Sequence, residues 1–135
     1  MRIAFGTDES TPLTAAMIVW LAEAGHEVAV LADGDPWPQV GRSVGEAVAA
    51  GEADRGVVCC FTGTGVSIAA NQVPGVRAAL CVDAETARGA RRWNHANVLA
   101  VSLRLTSGPV ATELLEAFLV TDPDESEEAS VAQLA

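Results

Sequence analysis

Five short apolar runs separated by segments of helical composition constrain this chain more than any other feature. RIAFG (2–6), HEVAVLA (26–32), RGVVCCF (55–61), VRAALCV (76–82) and NVLAVSL (97–103) have the length and content of buried strands. Between them lie helical stretches at 13–24, 40–51, 66–72 and 84–92, and a last one at 109–119. Thr11-Pro12 supplies a cap and a first-turn proline for the first helix, and Gly25 a stop. DGDPWPQ (33–39) has the glycine and prolines of a surface loop. Strand and helix alternating through short links imply a parallel sheet with right-handed crossovers and helices on both faces. The expected fold is α/β, a Rossmann-like three-layer sandwich around five parallel strands.

Length and charge narrow the function. One domain of 135 residues can enclose one sizeable core. No apolar run reaches the length of a membrane span, and the start MRIAFGTDES meets an acid too early for a secretory signal. A soluble, cytoplasmic protein that binds no membrane is expected. Eight arginines and no lysine face eighteen acids, for a net charge of −10. That balance opposes binding to nucleic acid, which depends on neutralising phosphates. Five of the acids fall within residues 122–128. The chain therefore divides into a folded body, 1–121, and an acidic, mobile tail, 122–135, that does not cover the cleft. Three cysteines and two histidines give neither a disulfide framework nor zinc spacing, so no metal is expected.

In open parallel sheets, ligands sit beyond the carboxyl ends of the strands. Asp8 and Glu9 fall at such an end, as do the turn Thr62-Gly63-Thr64-Gly65, Asp83 and the stretch Ser102 to Arg104. The turn lacks the spacing of a dinucleotide fingerprint and the lysine of a P-loop. Its glycines and the following helix start can form an anion hole, or can serve tight packing alone. Cys60 ends the third strand beside it. There a helix N-terminus can make it a base or nucleophile, while the alternative is a small buried hydrophobe. Adjacent strand residues point to opposite faces, which leaves Cys59 as the structural one and Cys81 as core.

Four stretches then resemble a known family: IAFGTD near the start, AVAAGEAD (47–54), CCFTGTGVSIAANQVPGVRAALC (59–81) and WNHANVLAVSLR (93–104). They are similar to the type B ribose-5-phosphate isomerases and the galactose-6-phosphate isomerase subunits of carbohydrate metabolism. The resemblance implies aldose–ketose isomerisation through an enediolate, without cofactor, in a homodimer or dimer of dimers whose sites are shared between subunits. It implies Cys60 as the base, Thr62 to Gly65 as the holder of the oxyanion, and Asp8 at the sugar hydroxyls. Asn71, Asn94 and Asn97 match the family's asparagines, and Arg104 its phosphate-side arginine.

Several positions depart from the family's pattern. Asp8-Glu9-Ser10-Thr11 stands for Asp-His-x-Gly, and Phe61 for a glycine. Trp93-Asn94 stands for the His-Asn pair that opens the sugar ring, and residues 125–131 carry glutamates where arginines clasp phosphate. A charged hydrogen bond contributes roughly 1.5–3 kcal/mol, and a carboxylate in its place repels a dianion. The expected substrate is accordingly a less phosphorylated or less polar hydroxy-ketone or sugar. Trp93 and Phe61 offer stacking faces for it, although Trp93 can equally be a space-filler. His95 could restore an acid, or be an ordinary loop histidine. Two other outcomes stay open: a non-catalytic member that binds or partners a second family subunit, and an ordinary ribose-5-phosphate isomerase with a rebuilt clamp.

Overall fold

The computed structural model describes residues 1–134. Its strands are β1 (Arg2–Thr7), β2 (Glu27–Asp33), β3 (Arg55–Cys60), β4 (Ala78–Leu80) and β5 (Val98–Ser102). All pair in parallel, in the order β2-β1-β3-β5-β4. The helices are α1 (Pro12–Glu23), α2 (Trp37–Ala49), α3 (Thr64–Asn71), α4 (Ala84–Asn94) and α5 (Gly108–Val120), followed by a one-turn 3₁₀ helix and α6 (Glu128–Val131). The expected α/β sandwich is therefore the observed one, with shifted boundaries.

The layers follow from alternation along each strand. Ile3, Phe5, Val57, Cys59 and Leu99 face one side, where Met17 and Leu21 of α1, Ala87 and Ala90 of α4, and Leu114 and Phe118 of α5 cover them. Ala4, Val58, Cys60 and Ala100 face the other, against Val40 and Val44 of α2 and Val66 and Ala70 of α3. The adjacent cysteines thus part company at the end of β3. Cys59 goes to the larger core, where burial pushes its thiol well above the ordinary range. Cys81 lies in that core too, raised by burial to about 11.

Local chemistry sets the helix ends. Thr11 caps α1 as expected: its hydroxyl accepts from the Thr14 N–H at 3.1 Å, and proline occupies the first turn. In α2 the helix reaches back to Trp37, into the stretch expected to be loop. Pro38 is compatible with a first turn because N–H groups there have no intrahelical acceptor. This extension lifts Trp37 onto the helix bearing the second core face.

Residues 122–134, set apart in the sequence as an acidic tail, carry the 3₁₀ turn and α6. The Asp124 N–H donates to the Arg92 carbonyl at 3.0 Å, and the His95 ring lies 2.8 Å from the Asp124 carbonyl. His95 is thereby engaged with the chain end at the foot of α4. Nearby, buried Arg91 donates to the carbonyls of Ala96 at 2.6 Å and Thr121 at 3.1 Å, with its guanidinium 5.8 Å from the Phe118 ring centre. Desolvation, with Arg55 close by, holds it down to about 10.

Candidate active site

The sheet order creates the site. From β1 the chain steps outward to β2, then crosses back to β3 on the other side, so β1 and β3 are neighbours whose following loops diverge. Such a switch point opens a cleft at the carboxyl edge. Here Thr7 pairs with Cys59, which brings Asp8 beside Cys60. The Asp8 N–H donates to the Cys59 carbonyl at 3.1 Å, which fixes that approach. A cleft of about 360 Å³ lies there, lined by Asp8, Trp37, Cys60, Phe61, Thr62, Thr64 and Gly65.

Cys60 is 5 % exposed and borders this cleft. Its Sγ accepts a hydrogen bond from the Gly63 N–H at 3.2 Å. That contact depends on the turn. Gly63 has φ +77°, in the left-handed region, and a Cβ there would fall 2.5 Å from Leu80 Cδ1 and 3.0 Å from the Ser102 backbone nitrogen. Only glycine makes this bend without strain and collision. Gly63 is also the N-cap of α3 and offers no side chain to close the helix end. The first-turn N–H groups of α3 lack an intrahelical acceptor, and Thr64 and Gly65 of that turn line the cleft. Thr62 and Thr64 place their hydroxyl oxygens 2.8 Å apart at the rim.

Asp8 is the unusual acid of the site. Its Oδ1 is buried without a hydrogen-bond partner. Desolvation, reinforced by the charge on Glu9, raises its carboxyl above the ordinary value. Glu9 itself points outward; its backbone is held by the Thr7 hydroxyl, which donates to the Glu9 carbonyl at 2.7 Å. A partnerless buried carboxyl oxygen marks a place where a ligand hydroxyl can bind.

Phe61 lines the cleft without filling it. The side chain is 55 % exposed, and the guanidinium of Arg104 sits 6.0 Å from its ring centre. Ser102 secures this turn from β5: its hydroxyl donates to the Phe61 carbonyl at 3.2 Å and accepts from the Leu105 N–H at 3.2 Å. Arg104 adds a backbone bond to the same carbonyl at 2.9 Å.

The remaining predicted residues lie elsewhere on the chain. Asn71 and Asn97, expected to bind substrate, hydrogen-bond to backbone within this chain. Asn71 donates to the Ala78 carbonyl at 3.0 Å and accepts from the Ala78 N–H at 2.8 Å. Asn97 accepts from the Arg77 N–H at 2.8 Å and donates to the Gly75 carbonyl at 3.0 Å. Both amides clip the entry to β4, a short edge strand with few ladder bonds of its own. Trp93 and Asn94 line a separate recess of about 500 Å³ with Ala79, Leu80 and Gly89. Trp93 is 54 % exposed and packs over Gly89, where a Cβ would meet its ring at 2.8 Å. Within one chain, the Trp93 recess and the Cys60 cleft are two surfaces.

Trp37 is the site residue that sequence reasoning missed. It sat in a proline-rich stretch assigned to loop, and only the packing of α2 on α3 brings it to Cys60. The available signal was Pro38 itself, a residue at home in the first turn of a helix.

Comparison with known proteins accords with this geometry. Residues 3–134 match the family described as ribose/galactose isomerase. Galactose-6-phosphate isomerase subunit LacB of Clostridium acetobutylicum is 39 % identical over 124 residues, covering 88 % of this chain and 72 % of that protein. Ribose-5-phosphate isomerase B of Escherichia coli is 36 % identical over 126 residues, covering 87 % and 83 %. The structure of ribose-5-phosphate isomerase B from Clostridium thermocellum superposes with a TM-score of 0.92 at 34 % identity, covering 99 % of this chain and 95 % of that one. On these grounds the chain belongs to the ribose/galactose isomerase family.

Proposed function

We propose that this chain isomerises a sugar or related hydroxy-ketone by moving a proton between adjacent carbons through an enediolate. The observation that carries this reading is Cys60 at the cleft, its sulfur receiving the Gly63 N–H, beside an acid whose buried Oδ1 lacks a partner. Deprotonated Cys60 takes the proton from the carbon next to the carbonyl. The electron pair left behind forms the enediolate, whose oxygen faces the first-turn N–H groups of α3 and the Thr62 and Thr64 hydroxyls. Donors placed where charge develops are worth about 3 kcal/mol each. The sulfur then returns the proton to the neighbouring carbon. Asp8 holds the hydroxyl whose proton passes to the other oxygen. Electrons balance within the substrate, and no external oxidant enters.

The substrate is less phosphorylated than a pentose 5-phosphate. Glu125, Glu127 and Glu128 occupy the stretch where the family resemblance places phosphate-binding arginines, and Arg104 is turned toward Phe61. A thermal-shift series tests this, since a ligand raises apparent stability by RT ln(1 + [L]/Kd). Unphosphorylated hydroxy-ketones and sugars are expected to raise the melting temperature more than ribose 5-phosphate at equal concentration. A larger shift with ribose 5-phosphate, accompanied by its turnover, would identify an ordinary ribose-5-phosphate isomerase instead.

A second reading has one observation behind it: the relative from Clostridium acetobutylicum is named as a subunit. Under that reading the chain is a binding partner of another family member. Stoichiometric co-purification with such a chain, with no proton transfer by this one alone, would favour it.

A further inference from the structure

We infer that Trp37 is the specificity-determining residue of the cleft, and that it selects α-hydroxy-ketones bearing a planar apolar group on the carbonyl carbon. The inference deepens the proposed function and rests on it for the α-hydroxy-ketone part of the ligand.

The indole is built into the site at close range. A Cβ on Gly65 would come within 3.0 Å of Trp37 Cδ2 and Cε3 and within 3.4 Å of Cγ. The bicyclic ring therefore lies directly against the second residue of α3, one position after Thr64. Gly65 belongs to the turn that holds the candidate oxyanion, and a side chain there would displace the ring. Trp37 is 45 % exposed and lines both this cleft and a second recess of about 450 Å³ beside Pro38, Ile68 and Val73. Its indole N–H has no protein acceptor among the described residues, so no hydrogen bond dictates the ring's position. Packing on Gly65 does.

Phe61 provides a second aromatic surface in the same lining. Two aromatic side chains around one thiol and one carboxyl give a site that is polar at the reacting carbons and apolar beside them. Aromatic surfaces favour offset or edge-to-face contacts with other rings. A cleft of about 360 Å³ accommodates a hydroxyacetyl group with one ring attached. Arg104 lies 6.0 Å from the Phe61 ring centre, whereas among the described residues no cation stacks on the Trp37 indole.

Binding of two probes, 2-hydroxyacetophenone and hydroxyacetone, separates this idea from the catalytic reading. They share the reacting group and differ in the ring. Calorimetry on the full chain is expected to give roughly tenfold tighter binding of the aromatic probe. Trp37→Phe should keep most of that preference, whereas Trp37→Leu and Trp37→Ala should reduce it to about twofold or less. The leucine variant preserves bulk and serves if alanine disturbs α2. Equal affinity of the two probes for the unaltered chain, or a preference that survives in a natively melting Trp37→Leu, overturns the inference. Proton exchange that depends on Cys60 would then still stand. Conversely, a Trp37-dependent preference without any exchange supports the inference and removes the catalytic reading.

Discussion

Asp8 pairs a poor electrostatic position with a good chemical one. Burial of Oδ1 without a partner favours the protonated acid, and Glu9 adds repulsion to the charged form. A folded-state value above the ordinary 3.8 means that folding favours the proton-bound state. The stability this group contributes is complete below 3.8 and is lost as pH rises through the raised value. Asp8→Asn is therefore expected to melt higher than the unaltered chain at pH 7 and to lose that advantage near pH 3.5. Calorimetric melts across that range measure it; an asparagine variant less stable at neutral pH would show that the carboxylate has a partner in solution. The same substitution should lower turnover, the exchange of stability for function expected where a site holds a strained group.

Elements decide which of the predicted residues can meet. The Cys60–Gly65 turn was legible because strand end, bend and helix start are contiguous, and each demands its residue type locally. Gly63 could be read as a tight bend, and φ +77° is the physical form of that demand. Asn71 and Asn97 were not legible in the same way. An amide looks alike in sequence whether it holds a sugar or a neighbouring backbone, and the backbone contacts of these two emerge only once β4 is placed. Asn71→Ala leaves the N–H and carbonyl of Ala78 to water at the sheet edge. The expected cost is about 1 kcal/mol, seen as a melting temperature lowered by several degrees, with turnover per folded molecule little changed. Loss of turnover without loss of stability would return Asn71 to the substrate. Trp37 was hidden for a related reason, because its partner Gly65 belongs to a different helix and nothing in the local pattern connects them.

At the scale of the whole molecule, two of the chain's recesses hold predicted site residues at separate places, one with Cys60 and one with Trp93 and Asn94. We propose that a homodimer joins the Cys60 cleft of one subunit to the Trp93 recess of its partner, giving two shared sites. Mixing Cys60→Ala with Trp93→Ala chains under exchange conditions should then restore part of the activity that each variant lacks alone. Additive residual rates with no recovery would place each site within a single chain. The order β2-β1-β3-β5-β4 could not be read from the alternation of strands and helices, which is equally compatible with other orders. That order makes β1 and β3 neighbours, and their adjacency brings Asp8 to Cys60. Everything proposed for the chemistry depends on that meeting. Solvent-deuterium incorporation next to the carbonyl of hydroxyacetone, followed by proton NMR in D₂O, tests it most directly. The unaltered chain should exchange that position well above the buffer rate, and Cys60→Ala should fall by about 10²–10⁴-fold while melting normally. Exchange by Cys60→Ala at the unaltered rate would contradict the assignment of the sulfur as the base.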